Sequence, residues 1–207
     1  MTAFFDALLP FDLSVFEWVQ SIHSNFLTAI MTTVTTLGDD GIIFILMGLV
    51  LLFPKKYRKI GVTVLVALLV MLICNNLILK ELFARPRPFN LDPEQYAWWH
   101  EIYKYPYFKI HQPSSFSFPS GHTSSAFAAA IAVLIYNRKF GIPLTFFAAL
   151  MGFTRIYVEV HYCSDVIAGA VVGIIYALIA ALVAKFLFPV VDKVFDSVLA
   201  KFKKKQA

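Results

Sequence analysis

Between Lys59 and Lys80 the chain carries no charged residue. About 20 apolar residues in a helix cross a bilayer core roughly 30 Å thick, and this run has that length. Composition agrees: 59% of the 207 residues are hydrophobic and 15% charged, with a mean hydropathy of +0.71. Ordinary soluble domains hold about a quarter charged residues. The chain therefore takes lipid as its solvent, and residues 1–207 are expected to form a single integral membrane domain. Its net charge of +5 sits in short clusters between apolar runs, the membrane-protein pattern and not that of a nucleic-acid binder. Cys74 and Cys163 are too few and too scattered for a disulfide framework. Asp6 and Asp12, with no basic n-region, speak against a cleavable signal peptide.

Hydropathy predicts an all-α, polytopic chain with six transmembrane helices. They cover Asn25 to Leu37, Gly41 to Phe53, Ile60 to Phe83, Ser120 to Tyr136, Gly141 to Val160 and Ser164 to Phe188. Before them Leu13, Phe16, Val19 and Ile22 recur at helical spacing, so Asp12 to His23 is expected to lie on the membrane as an interfacial helix. Lys55, Lys56, Arg58, Lys59, Arg138, Lys139 and the lysines from Lys185 onward all fall on one side of such a layout. The positive-inside rule makes that side cytoplasmic, with both termini on it. The Gly38–Gly41 turn and the segments between spans three and four and between five and six then face outward. The segment Ala84 to Pro119 is long for a loop and crowded with aromatic residues, among them Phe89, Trp98, Trp99, Tyr105 and Phe116. It reads as an interfacial aromatic belt or as a lid over a lipid.

Three short motifs stand at the outer ends of these spans. They are Lys80 followed by Arg87-Pro88, then Pro119-Ser120-Gly121-His122, then Arg155 with His161 and Asp165. Singly each is weak; in this order and on one membrane face they are a strong joint signal. Lys80, Arg87 and Arg155 bring three cations to one mouth, which favours a dianion such as a phosphoryl group. Arg85, Lys104 and Lys109 read instead as side chains snorkelling to the headgroups. Ser120 and Gly121 open a helix, whose free N–H groups and positive dipole end bind anions. A plain helix start explains Pro119 and Ser120 equally well but leaves His122 without a role.

His161 and Asp165 are one helical turn apart, so a carboxylate can hold Nδ1–H of the imidazole and leave Nε2 free to attack. Glu159 has the wrong spacing to take that part. His122, His161 and Asp165 would make a poor metal site beside three cations, so no metal and no cofactor is expected. His23, His100 and His111 fall outside the motifs and are treated as surface or interface residues.

In these residues the chain resembles the type 2 phosphatidic acid phosphatase superfamily, which includes bacterial lipid phosphatases and vanadium haloperoxidases. The family pattern is Lys-x6-Arg-Pro, Pro-Ser-Gly-His and Ser-Arg-x5-His-x3-Asp; Thr154 in place of serine is the one departure. The resemblance implies a metal-independent phosphatase. Lys80, Arg87, Arg155, Ser120 and the Gly121 amide would hold the phosphoryl oxygens. His161, oriented by Asp165, would attack phosphorus, His122 would protonate the leaving oxygen, and water would hydrolyse the phosphohistidine. The implied partners are a membrane lipid phosphate and the bilayer, with no nucleic acid and no obligate protein partner. Undecaprenyl diphosphate, phosphatidylglycerol phosphate and phosphatidate are the substrates implied, the first suiting an outward-facing site. A phosphotransferase, a haloperoxidase and a non-catalytic lipid-binding or transport protein are the rival classes.

Overall fold

Small residues decide how this bundle closes. The computed structural model describes residues 2–90 and 114–206. The described elements are α1 (Thr2–Ser21), α2 (Asn25–Leu37), α3 (Ile42–Leu52), α4 (Arg58–Met71), a π-helical stretch (Leu72–Leu79), α5 (Lys80–Phe83), α6 (Gly121–Tyr136), α7 (Arg138–Tyr157) and α8 (Cys163–Gln206). The described residues are thus all-α, as the hydropathy pattern predicts. Central α6 packs against α4, α7 and α8 and buries Ala126, Ala128, Ala129, Ala130 and Ala132 completely. A Cβ added at Gly169 of α8 would stand 2.8 Å from the Ser120 carbonyl oxygen, and one at Gly173 2.7 Å from that of Ser124. Lipid tails are as apolar as leucine, so close van der Waals packing of small residues, not hydrophobic burial, holds such helices together.

Among the described residues, three helical runs are long and apolar enough to cross a membrane: Arg58–Asn90, Arg138–Tyr157 and Cys163–Val198. The first two expected spans are not separate crossings of this kind. α2 and α3 meet the test only as a pair, bent by 52° at the break between them. The break is built on Gly41, whose φ of 67° lies in the left-handed region that glycine enters freely. α6, with 16 residues and so about 24 Å long, is short for a span but is shielded by its neighbours.

The two ends of the bundle are distinct. At one end α1 lies across the motifs. The Phe5 ring centroid is 5.2 Å from that of Phe118 and 6.1 Å from that of Phe83, and Asp12 accepts the Ser164 N–H at 2.8 Å. At the other end buried Arg58 donates to Asp192 and Asp196 at 2.5 and 2.9 Å, beside a 2.5 Å Lys55–Asp196 pair. The N-terminal helix and the far part of α8 therefore contact opposite ends of the bundle. α1 is also longer than predicted, running from Thr2 through Pro10. Its buried face, with Phe16 and Val19, is the one that the periodicity picks out.

Candidate active site

Lys80 owes its position to the π-helical turn before it. Its backbone N–H donates to the carbonyl of Asn75, five residues back, so the helix widens just where the first motif begins; such insertions recur at functional sites. Buried Asn75 ties that turn to α6, accepting from the Ser124 hydroxyl at 3.0 Å and donating to the Pro119 carbonyl at 3.4 Å. Ala84, at φ 44°, then turns the chain back so that Arg87 returns to the same spot. Ser115 joins the two cations: Lys80 Nζ donates to its Oγ at 3.1 Å, and Arg87 Nη2 to the same oxygen at 3.2 Å. Arg87 also donates from Nε to the Ser115 carbonyl at 2.7 Å and from Nη1 to the Val160 carbonyl at 2.8 Å.

The second motif arrives as the first turn of α6. Ser120 occupies the N-cap position without capping. Its hydroxyl accepts from Thr123 Oγ1 at 2.9 Å, and its N–H goes to the Asp165 carbonyl at 3.1 Å. The positive dipole end of α6 therefore has no capping oxygen in front of it. A Cβ at Gly121 would stand 3.7 Å from Lys80 Nζ, so the glycine keeps open the space beside the ammonium. His122 Nε2 meets Asp39 Oδ1 at 3.0 Å. Asp39, in the break between α2 and α3, is a partner that the motif spacing does not reveal.

His161 lies in the turn between α7 and α8, not on a helix, and Asp165 in the first turn of α8. Their separation is nevertheless short, with Nδ1 3.5 Å from Asp165 Oδ2. Ser117 sits beside both, 3.4 Å from Nδ1 and closely hydrogen-bonded to Oδ2, which also accepts the Tyr162 N–H at 3.0 Å. On the other side of the ring Arg87 Nη1 is 3.2 Å from Nε2. Buried Arg155 donates from Nη1 to Thr35 Oγ1, and Thr154 uses its hydroxyl within α7, on the Met151 carbonyl at 2.7 Å. Burial first, and then Arg87, Arg155 and Lys80, hold the His161 pKa well below its usual value, which favours the neutral imidazole.

Arg85 corrects the snorkelling assignment. It is 3% exposed and donates to Asp165 Oδ1 at 2.5 Å and to Asp12 Oδ2 at 2.8 Å. Its neighbour Pro86 and the short loop after α5 turn it inward, which spacing alone cannot tell. Glu159 is buried and receives Gln20 Nε2 at 3.4 Å. His23 packs on Tyr157, 4.3 Å between ring centroids. His100, His111, Lys104, Lys109 and the belt or lid over 91–113 lie outside the described residues. Among the described residues, no three His, Cys, Asp or Glu side chains converge as a metal site would require.

Lys80, Arg87, Arg155, Gly121, His122 and His161 line one cavity of about 560 Å³, whose further wall is Ile45, Leu65, Leu68, Leu69 and Leu72. Residues 57–188 match the PAP2 superfamily. The undecaprenyl-diphosphatase BcrC of Bacillus subtilis is 31% identical over 192 residues, 89% of this chain and 91% of that protein. The chain belongs to the PAP2 superfamily. An undecaprenyl-diphosphatase of Sulfolobus acidocaldarius is 27% identical over 167 residues, 80% of this chain and 74% of that one. The PAP2 fold is also seen in a crystal structure of a transmembrane PAP2-type phosphatidylglycerolphosphate phosphatase from Bacillus subtilis. That structure superposes with a TM-score of 0.65 at 22% identity, covering 87% of this chain and 88% of that one. As a PAP2 member the protein is a membrane lipid phosphatase. Its PAP2 match begins at residue 57, so Thr35 and Asp39, which reach Arg155 and His122, and Asp12, which reaches Arg85, come from the segment before it.

Proposed function

We propose that the protein hydrolyses an isoprenoid lipid diphosphate, undecaprenyl diphosphate being the expected substrate, through a phosphohistidine on His161. The observation that carries this reading is the composition of the cavity, three cations and two histidines at one end and a leucine-rich wall at the other. Such a space takes a phosphoryl group and the first part of an apolar chain together. Lys80, Arg87 and Arg155 neutralise the phosphoryl oxygens, and Ser120 and the Gly121 amide complete the cradle. Phosphoryl transfer depends on such positioning and charge stabilisation. The Nε2 lone pair of His161 forms the bond to phosphorus as the bond to the leaving oxygen breaks, and His122 gives that oxygen its proton. Water then attacks the phosphohistidine, with His122 now taking the proton, and inorganic phosphate leaves.

The membrane arrangement follows from charge. Lys55, Lys56, Arg58, Lys59, Arg138 and Lys139 belong to the end opposite the motifs, which is therefore cytoplasmic. The active site then faces outward with α1 lying in the interface above it, the chain crosses five times and only the C-terminus is cytoplasmic. Phosphate release should be measured for the purified protein on undecaprenyl diphosphate, undecaprenyl phosphate, phosphatidylglycerol phosphate and phosphatidate. The highest kcat/KM is expected on undecaprenyl diphosphate. Equal or faster release from phosphatidylglycerol phosphate would refute the substrate assignment.

A further inference from the structure

Behind the His161–Asp165 pair stands a second layer of charge. Arg85 is flanked by two aromatic rings, Tyr162 at 3.8 Å and Phe5 at 4.5 Å from the guanidinium carbon to the ring centroids. Nη1 donates to Asp165 at 2.5 Å and to Ser164 Oγ at 2.8 Å, and Nη2 donates to Asp12 at 2.8 Å. Asp12 and Asp165 are both fully buried. Asp12 is fixed in turn by Ser164, whose N–H reaches Oδ1 at 2.8 Å and whose hydroxyl reaches Oδ2 at 2.6 Å. This is one cation shared between two carboxylates, in a site from which water is largely excluded.

We propose that Asp12, acting through Arg85, keeps Asp165 effective as the counter-charge to His161, which makes the N-terminal helix a positioning element of the active site. With His161 as the nucleophile of the proposed function, charge balance links the two carboxylates. When the Nε2 lone pair bonds to phosphorus and the old P–O pair departs on the leaving oxygen, the ring becomes cationic, with its proton on Nδ1. Asp165 must stabilise that cation. Paired with Arg85 alone, Asp165 would belong to a neutral couple and would do so weakly. Asp12 returns the group to a net charge of −1, and at low local dielectric that difference acts strongly on a ring 3.5 Å away. The arginine supplies geometry, and the second aspartate cancels its electrostatic cost.

Charge count and simple contact loss make opposite forecasts for a pair of variants. Asp12→Asn keeps the size of the side chain and an acceptor oxygen but leaves Arg85 opposite Asp165 only. Its kcat should fall on the order of 10–100-fold, as for other partners behind a reacting group, while KM stays within about twofold. Asp12→Asn combined with Arg85→Gln restores the net charge of −1 and should be faster than Asp12→Asn alone. Wild-type kcat in Asp12→Asn, or a double variant at or below the single one, would overturn the proposal. If Asp12→Asn does not purify folded, the double variant decides alone: kcat within about tenfold of wild type supports the proposal, and an inactive folded protein contradicts it. His161→Ala, assayed beside them, separates the two layers of inference. An inactive His161→Ala with a wild-type Asp12→Asn removes this proposal only, whereas an active His161→Ala removes the nucleophile as well.

Discussion

Arg87 donates from Nη1 to Nε2 of His161 across 3.2 Å, and since arginine has no lone pair to offer, Nε2 must be the unprotonated nitrogen. The imidazole proton is therefore on Nδ1, facing Asp165 and Ser117, and the Nε2 lone pair, which the proposed mechanism uses for attack, is on the side of the cations. Arg87 also bonds Ser115 through two of its nitrogens, a fork that lysine cannot reproduce. Arg87→Lys should lower kcat/KM on the order of 10²-fold, the usual cost of one lost donor to a developing oxyanion. Steady-state rates on a lipid diphosphate check this; a change below threefold would mean that Arg87 only props the loop.

The proposed mechanism gives His122 a different part, and the nature of the leaving group exposes it. A general acid matters less as the leaving oxygen becomes less basic. His122→Ala should lose about 10²–10⁴-fold on a lipid phosphate and regain much of it on p-nitrophenyl phosphate. His161→Ala should be inactive on both. Rescue of His161→Ala by the better leaving group, with His122→Ala inactive throughout, would exchange their roles.

Glu159 gives stability a pH dependence of known sign. Burial pushes its carboxyl up to about 9, against a slight opposing effect of Gln20. Between the ordinary value of 4.5 and about 9, the folded protein holds a proton that the unfolded chain has released. The stabilisation is complete below 4.5 and is lost as pH rises, by about 1.4 kcal/mol per pH unit for one proton. His161 acts in the opposite sense, because its depressed pKa lowers stability as pH falls below 6.5. The Tm of the wild type should decline from pH 7 to 9, and Glu159→Gln should flatten that decline. Parallel declines would show that Glu159 is ionised in the fold.

Topology can be read on intact cells. In a Cys74→Ser, Cys163→Ser background, cysteine at exposed Ser14 of α1 should react with a membrane-impermeant thiol reagent, and cysteine at exposed Lys56 should not. The reverse pattern would invert the protein and end the outward-facing assignment.

The three motifs and the long apolar run make the all-α character, and the residues that meet at the cavity, legible in the sequence. Lys80, Arg87, His122, Arg155 and His161 line it together. What the sequence hid was of two kinds. The bend between α2 and α3 is a backbone event at Gly41, and hydropathy sums side chains without seeing whether a helix continues through a turn. The other kind is pairing across distance: Asp12 with Arg85 and Asp39 with His122 are separated by 73 and 83 positions. No local periodicity connects such pairs. A buried arginine near a span end carries the same sequence signal as a snorkelling one, and only its carboxylate partners tell them apart.

The most direct test of the account is a single-turnover experiment on the wild-type protein in the presence of excess EDTA. Substrate labelled in its terminal phosphate is mixed with enzyme and quenched in alkali, which preserves phosphohistidine. A transient label on the protein is expected, mapped to His161, that forms before free phosphate appears, reaches a substantial fraction of the enzyme and is insensitive to the chelator. Release of phosphate with no labelled protein at any time, or loss of turnover in EDTA that magnesium or zinc restores, would contradict it.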